Sequence, residues 1–330
     1  MTLIVAGHPT HLLSHKMDFI WEVLAGPWAT PQQTSWNLQI ALMGSLVCLS
    51  CGLVGTFVVV RRMALLGDAI SHGVLPGIVI AYLITGSLSV GPMWIGACLA
   101  GLLCGVSIEW LRTKTPLRED AAMGLTFTSF FALGIVLLSL QVGHVHLDPA
   151  CILYGEIGLI PLEPKLNLWG NAFGNQSIWS MGLVCVISVF LSFTLYRLLL
   201  VTSFDLSLAK SLGMPVRSIQ YGLMLLLALV IVASFESVGV ILVLAMMILP
   251  SASSAFLFDR LPSILLFCAP LSVLYSFGGI QLAHWMNFPI SASMALVGVV
   301  LFIPCCLLGP KGGVLKNFKF KPGKHLTGHS

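Results

Sequence analysis

Apolar residues fill this chain in blocks of about twenty, separated by short polar stretches that carry most of the charge. A block of roughly 20 apolar residues is the length an α-helix needs to cross the hydrocarbon layer of a bilayer. Such blocks fall at 38–60, 64–85, 93–111, 122–141, 178–200, 218–235, 239–258, 262–282 and 289–308. They predict nine spans, or eight if Glu236-Ser237-Val238-Gly239 breaks one helix instead of turning tightly between two. The fold class read from this pattern is all-α, a polytopic transmembrane helical bundle of 8–9 spans.

Three regions follow. Residues 1–37 form an N-terminal extension, in which Met17 to Trp28 is short, carries Asp18 and Glu22, and has tryptophans at 21 and 28. That mixture predicts a helix lying in the membrane interface. The extension lacks a basic segment followed by an apolar core and a small-residue cleavage site, so no cleavable signal peptide is expected. Residues 38–310 form the transmembrane domain, and 311–330 are a polar, basic tail whose lysines suit anionic headgroups.

Composition narrows the class further. Of 330 residues, 57% are hydrophobic and 8% charged, against about 25% charged in soluble domains. Mean hydropathy is +0.99. The net charge of +4 comes from dispersed loop residues, which does not point to nucleic acid. If the loop after the first span is cytoplasmic, fourteen of the sixteen Lys and Arg lie on that side, leaving Lys16 and Lys165 outside. This bias places the tail in the cytoplasm and residues 142–177 outside, with the N-terminus outside for nine spans. The nine cysteines lie mostly in apolar segments and make no disulfide framework. Cys48 and Cys51 form a CxxC inside a span, where packing is the favoured role over a redox or metal pair. Ala97, Gly101 and Gly105 recur at i, i+4 in the third span and predict close helix packing ahead of an oligomer interface.

Candidate chemistry centres on Asp68 and His72. A carboxylate in a membrane helix costs on the order of 2.5–3.5 kcal/mol on insertion scales. The i, i+4 spacing puts both side chains on one helix face. From Arg62, at the cytoplasmic boundary, they lie about 9 and 15 Å into a core about 30 Å thick. An oxygen and an imidazole nitrogen aimed at one point are the first two ligands of a divalent ion. Pro76, with Gly67 and Gly73, predicts a kink in this helix. Glu236, closing the sixth span, reads equally as a third ligand or as an acid at the outer interface. Pro250 lies beside Ser251, Ser253 and Ser254, whose hydroxyls can satisfy carbonyls freed by the proline. His8, His11, His15, His144, His146 and His284 fall on the outer side, and exposed loop histidines seldom have a specific role.

Residues 203–215 read as a short cytoplasmic helix, capped by Ser203 or Asp205, with apolar Leu206, Leu208, Ala209 and Leu212, and stopped at Gly213. Such a helix lies on the membrane or docks a partner, and composition alone favours the membrane. The chain contains no G-x-x-x-x-G-K-[ST], no H-E-x-x-H and no G-x-S-x-G, so it has no ATP cradle of its own and no common hydrolytic motif.

Three blocks of sequence also carry a resemblance. Arg62-Met63-Ala64-Leu65-Leu66-Gly67-Asp68-Ala69-Ile70-Ser71-His72 resembles the signature of the bacterial ABC permeases that import zinc, manganese or iron. Asp205 to Pro215 resembles the coupling helix of that family, and Val238 to Val243 with Met247 to Ala252 is similar to its late-helix motif. The blocks lie in order within roughly residues 38–310. The resemblance implies a type II ABC importer permease in the bacterial cytoplasmic (inner) membrane. It implies metal contact by Asp68 and His72, with Glu236 less secure because glutamine is familiar at that place. Asp205, Leu208, Ala209, Lys210, Leu212 and Gly213 would couple to a separate ABC ATPase. An extracytoplasmic metal-binding protein and a second permease copy or paralogue would complete the assembly. The metal is cargo; no permanently bound cofactor and no enzyme activity are expected. The competing readings are a proton-coupled secondary metal carrier, with Asp68 and His72 as relay, and an intramembrane metalloenzyme.

Overall fold

The computed structural model describes residues 26–61, 63–86, 90–140, 157–163, 165–168 and 171–310. Most of the N-terminal extension, the histidines at 8, 11, 15, 144 and 146, and the basic tail therefore lie outside the described residues. The described helices are α1 (Pro31–Val60), α2 (Leu65–Gly73), α3 (Leu75–Thr85), α4 (Val90–Lys114), α5 (Glu119–Ser139), α6 (Gln176–Thr194), α7 (Tyr196–Phe204), α8 (Leu206–Ser211), α9 (Val216–Val238), α10 (Val240–Leu257), α11 (Leu261–Met286) and α12 (Ile290–Leu308). A two-stranded antiparallel hairpin, β1 (Lys165–Leu168) and β2 (Asn171–Asn175), precedes α6. It is a small departure from the all-α expectation.

Among the described residues, eight helical segments are long and apolar enough to cross a membrane, with α2 and α3 acting as one; a shorter apolar run covers Leu242–Leu257 in α10. The first span starts earlier than the hydrophobic pattern predicts. Thr30 caps it by accepting from the Gln33 amide at 3.3 Å, and Pro31 sits at its first turn, where a missing N–H costs nothing. Residues 31–37 are thus helix and not extension.

Contacts sort the helix ends into two groups. At one end Trp28 stacks on Phe277 at 5.8 Å, Asn175 donates to Gln39 at 3.2 Å, and Gly26 lies against the His284 ring. A 3-10 turn, Ile157–Leu162, covers this end and buries Ile157 and Ile160. At the other end Arg61 reaches Thr202 and Ser203, and Arg112 bridges Glu109 and Glu119. The chain enters at the first end with α1 and leaves at the second with α12, where Gly309 packs on Phe256. α10, shorter than the eight candidate spans, returns the chain from Gly239 to this second end.

The core is made by α1 against α9, α10 and α11, with Phe57, Ile231, Leu242 and Tyr275 all fully buried. Small residues set how closely these helices approach. A Cβ on Gly55 would collide with the Met247 carbonyl, and Gly77 and Gly96 face each other backbone to backbone. Ala97, Gly101 and Gly105 of α4 pack inside the chain: Gly101 against Ala228, Ile70 and Val74, and Gly105 against Met224. That agrees with close packing as the role of this stripe. Cys48 and Cys51 are buried free thiols, Cys51 lying 3.6 Å from the Ser234 hydroxyl. In α10 the hydroxyls beside Pro250 do satisfy backbone carbonyls. Ser254 donates to Pro250 at 2.7 Å, and Ser251 to Met247 at 2.7 Å and across to Gly52 at 3.1 Å.

The junction between α9 and α10 is a helix break inside the bundle. Ser237, Val238, Gly239 and Val240 are all buried. Gly239 has φ 75° and ψ 164°, a region essentially reserved to glycine. Its N–H still donates to Phe235, and its carbonyl accepts from Val243 at 3.3 Å, so one residue redirects the chain without losing either helix end. Replacing Gly239 with alanine should cost about 1–3 kcal/mol of backbone strain. Thermal unfolding in detergent should show a lower midpoint for Gly239→Ala. Gly222→Ala, where a Cβ meets open space, should not lower it. Equal midpoints for Gly239→Ala and the parent would contradict this account.

Candidate functional site

The predicted kink falls at Val74, the single residue between α2 and α3, which itself keeps α-helical dihedrals of −77° and −21°. Pro76 has no N–H to return to the carbonyl of His72, so the helix ends at Gly73 and restarts at Leu75. Val74 bridges the two: its N–H bonds Ile70 at 3.1 Å, and its carbonyl accepts from Gly77 and Ile78. The short helix α2 is fixed on its back. Gly67 lies against Met247 of α10, Gly73 against Cys104 of α4, and Ala69 and Ile70 are buried.

The opposite face carries Asp68 and His72. Nε2 of His72 lies 3.4 Å from Oδ1 of Asp68. The imidazole meets two rings of α5, Phe131 edge-on at 5.5 Å and Phe127 at 5.9 Å. These rings hold the imidazole over the carboxylate. Neither side chain is sealed in: His72 is 26% exposed and Asp68 36%. Ser71 turns its hydroxyl back to the Asp68 carbonyl at 2.8 Å and leaves the carboxylate free. Among the described residues no group of three or more His, Cys, Asp or Glu is gathered at one point. The described residues thus gather two candidate ligands at this position, fewer than the four that zinc takes.

Glu236 belongs to the last turn of α9, and the four residues after it are buried. Its backbone lies three residues before Gly239, and its side chain lies outside the described residues. His284 sits in the last turn of α11, its ring over Gly26.

The short helix expected within 203–215 forms as α8, directly after α7 ends at Phe204. Of the two possible caps, Asp205 is the one used. Its carboxylate accepts from the Ser207 amide at 2.9 Å and the Leu208 amide at 3.0 Å, and also from the Ser207 hydroxyl. Gly213 ends the turn at φ 70°. Ala209 faces inward and is buried, whereas Phe204, Leu208 and Leu212 are 68%, 49% and 59% exposed, and Lys210 is exposed beside them. This is an apolar ridge with one cation, a surface suited to a groove on another molecule or to a headgroup layer.

Two features escaped the sequence reading. Phe127 and Phe131 are themselves an i, i+4 pair, and that spacing is the signal that could have matched them to Asp68 and His72. Arg61 carries no local sequence signal for its contacts, yet its guanidinium donates to Ser203 and Thr202, both at 3.0 Å.

Asp205 is held below the usual carboxylate range by the Ser207 hydroxyl first, then by the Leu208 amide. A depressed value means the cap contributes fully above the unfolded pKa and is lost as pH falls through the folded one. Hydrogen exchange should therefore show protected Ser207 and Leu208 amides at neutral pH, with protection lost only under acid conditions. Asp205→Ala should expose both amides at neutral pH, and unchanged exchange in that variant would contradict the capping role.

The ABC 3 transport family model matches residues 34–309. Manganese transport system membrane protein MntD of Bacillus subtilis is 42% identical over 281 residues, covering 85% of this chain and 95% of that protein. Zinc transport system membrane protein TroD of Treponema pallidum is 36% identical over 281 residues, covering 85% and 76%. Among solved structures, PsaBC from Streptococcus pneumoniae, in complex with Fab, superposes with a TM-score of 0.72 at 31% identity, covering 91% of this chain and 99% of that one. A metal-chelate type ABC transporter in an inward-facing conformation shares the fold, with a TM-score of 0.60 at 18% identity and coverage of 90% and 99%.

Proposed function

The chain belongs to the ABC 3 transport family, and from that premise we propose that it is the membrane-spanning permease subunit of an ATP-driven importer for a divalent metal cation. The observation that carries this reading is the Asp68–His72 pair, fixed on a broken helix and partly open. Manganese and zinc are the ions named in its relatives, and a carboxylate with an imidazole suits both, as it does ferrous iron. The remaining ligands come from water and from the same pair in a second permease copy, or its counterpart in a paralogue. A site shared between two subunits needs only two ligands from each. Glu236, near the internal break, is the proposed auxiliary acid on the route.

The cycle is mechanical. An extracytoplasmic metal-binding protein docks at the end covered by the Ile157–Leu162 turn and releases its ion inward. The ion exchanges water for Asp68 and His72. An ABC ATPase on a separate subunit receives the ridge of Phe204, Leu208 and Leu212, with Asp205, Ala209, Lys210 and Gly213 shaping its helix. Closure of the ATPases shifts that helix, and the site opens to the cytoplasm. Nothing in the cycle makes or breaks a covalent bond in this subunit. The proposed location is the bacterial inner membrane.

Uptake of radiolabelled manganese and zinc by cells carrying the permease with its ATPase and binding protein tests the reading. Asp68→Ala and His72→Ala should each bring uptake to background while the protein still inserts at parental levels. Full uptake by Asp68→Ala would overturn the site. Uptake that persists without the ATPase and collapses with an uncoupler would favour the proton-coupled carrier instead.

A further inference from the structure

Arg61 stands between the docking helix and the metal-site helix. It caps α1, its own N–H bonding Phe57 at 3.2 Å, and α2 begins four residues later. The turn between them is tied down: the Met63 amide donates to Val58 at 3.0 Å, and the Leu66 amide to Met63 at 2.9 Å. Asp68 follows at once. On the other side, the guanidinium grips the last turn of α7, donating from Nε to the Ser203 hydroxyl and from Nη2 to the Thr202 hydroxyl, each at 3.0 Å. Asp205, two residues beyond Ser203, ends α7 and starts α8.

The local chemistry leaves Arg61 committed to these hydroxyls. The acid that acts on it, Glu109, is already engaged by Arg112 at 2.8 Å and by the Gln220 amide at 2.7 Å, and Arg112 goes on to Glu119 at 3.0 Å. Burial and the nearby Arg112 pull Arg61 below the ordinary guanidinium value, with Glu109 opposing. A half-buried cation in such company is costly, and its directed bonds all lead to α7.

We propose that Arg61 is a positioning residue that transmits displacement of the α7–α8 segment to α2, and so to Asp68 and His72. The inference rests on the importer reading above. A lysine there keeps the charge but cannot hold two hydroxyls through a planar fork. Thr202→Val keeps the shape of α7 and the arginine, and removes one acceptor.

The test is the assembled transporter, permease with ATPase and binding protein, in proteoliposomes loaded with a metal-sensitive dye, with manganese as the probe. Transport per ATP hydrolysed is measured for the parent, Arg61→Lys and Thr202→Val. The expected result is ATP hydrolysis near the parental rate with transport per ATP lowered about tenfold, the factor carried by one lost hydrogen bond to a charged group. An unchanged ratio in both variants overturns the proposal. Parallel loss of hydrolysis or of assembly in both also overturns it, because Arg61 would then only support the fold. A parental complex that moves no metal at all defeats the importer reading itself and is told apart by that control.

Discussion

A carboxylate kept inside a hydrocarbon layer is the constraint to which the rest of this molecule answers. Asp68 lies one helical turn from His72, and the two side chains approach to 3.4 Å. The helix that carries them is short, with glycines pressed against Met247 and Cys104 on its back. It cannot rotate the pair away from the α5 side without forcing those contacts apart. Phe127 and Phe131 close over the imidazole from the front. Pro76 leaves the carbonyl of His72 without its helical donor and kinks the chain there. The polar pair is thus held rigidly on a short segment just before a kink.

The two ends of the bundle are built differently. At the end where α1 starts, a turn with Ile157 and Ile160 buried closes over α1, and Asn175 ties the hairpin to Gln39 and to the Ile160 carbonyl. At the end where α1 finishes, the ties involve charged groups: one pairs α1 with α7, and others link α4 to α5 and α9. The internal break at Gly239 adds a second point where a helix is interrupted within the bundle.

Much of this was legible in the sequence because hydrophobic length alone fixes spans. The Asp68–His72 pair was legible for a different reason: two polar groups four apart in apolar surroundings stand out without any structure. Pro250 and its serines, and the Asp205 cap with the Gly213 stop, follow local rules that the structure repeats. What the sequence hid is long-range. Arg61 and Thr202 are separated by 141 residues, and no local pattern pairs them. The early start of α1 was missed because Gln32, Gln33 and Asn37 are polar, although Thr30 and Pro31 carried the start signal. The hairpin at Lys165–Asn175 lacks regular alternation and read as loop.

The ligand shell of the transported ion tests the account most directly. X-ray absorption spectroscopy of the assembled transporter loaded with zinc reads donor types and counts the imidazoles. The account expects an oxygen and nitrogen shell whose imidazole count falls in His72→Ala. A shell containing sulfur, or an imidazole count unchanged by that substitution, would contradict it.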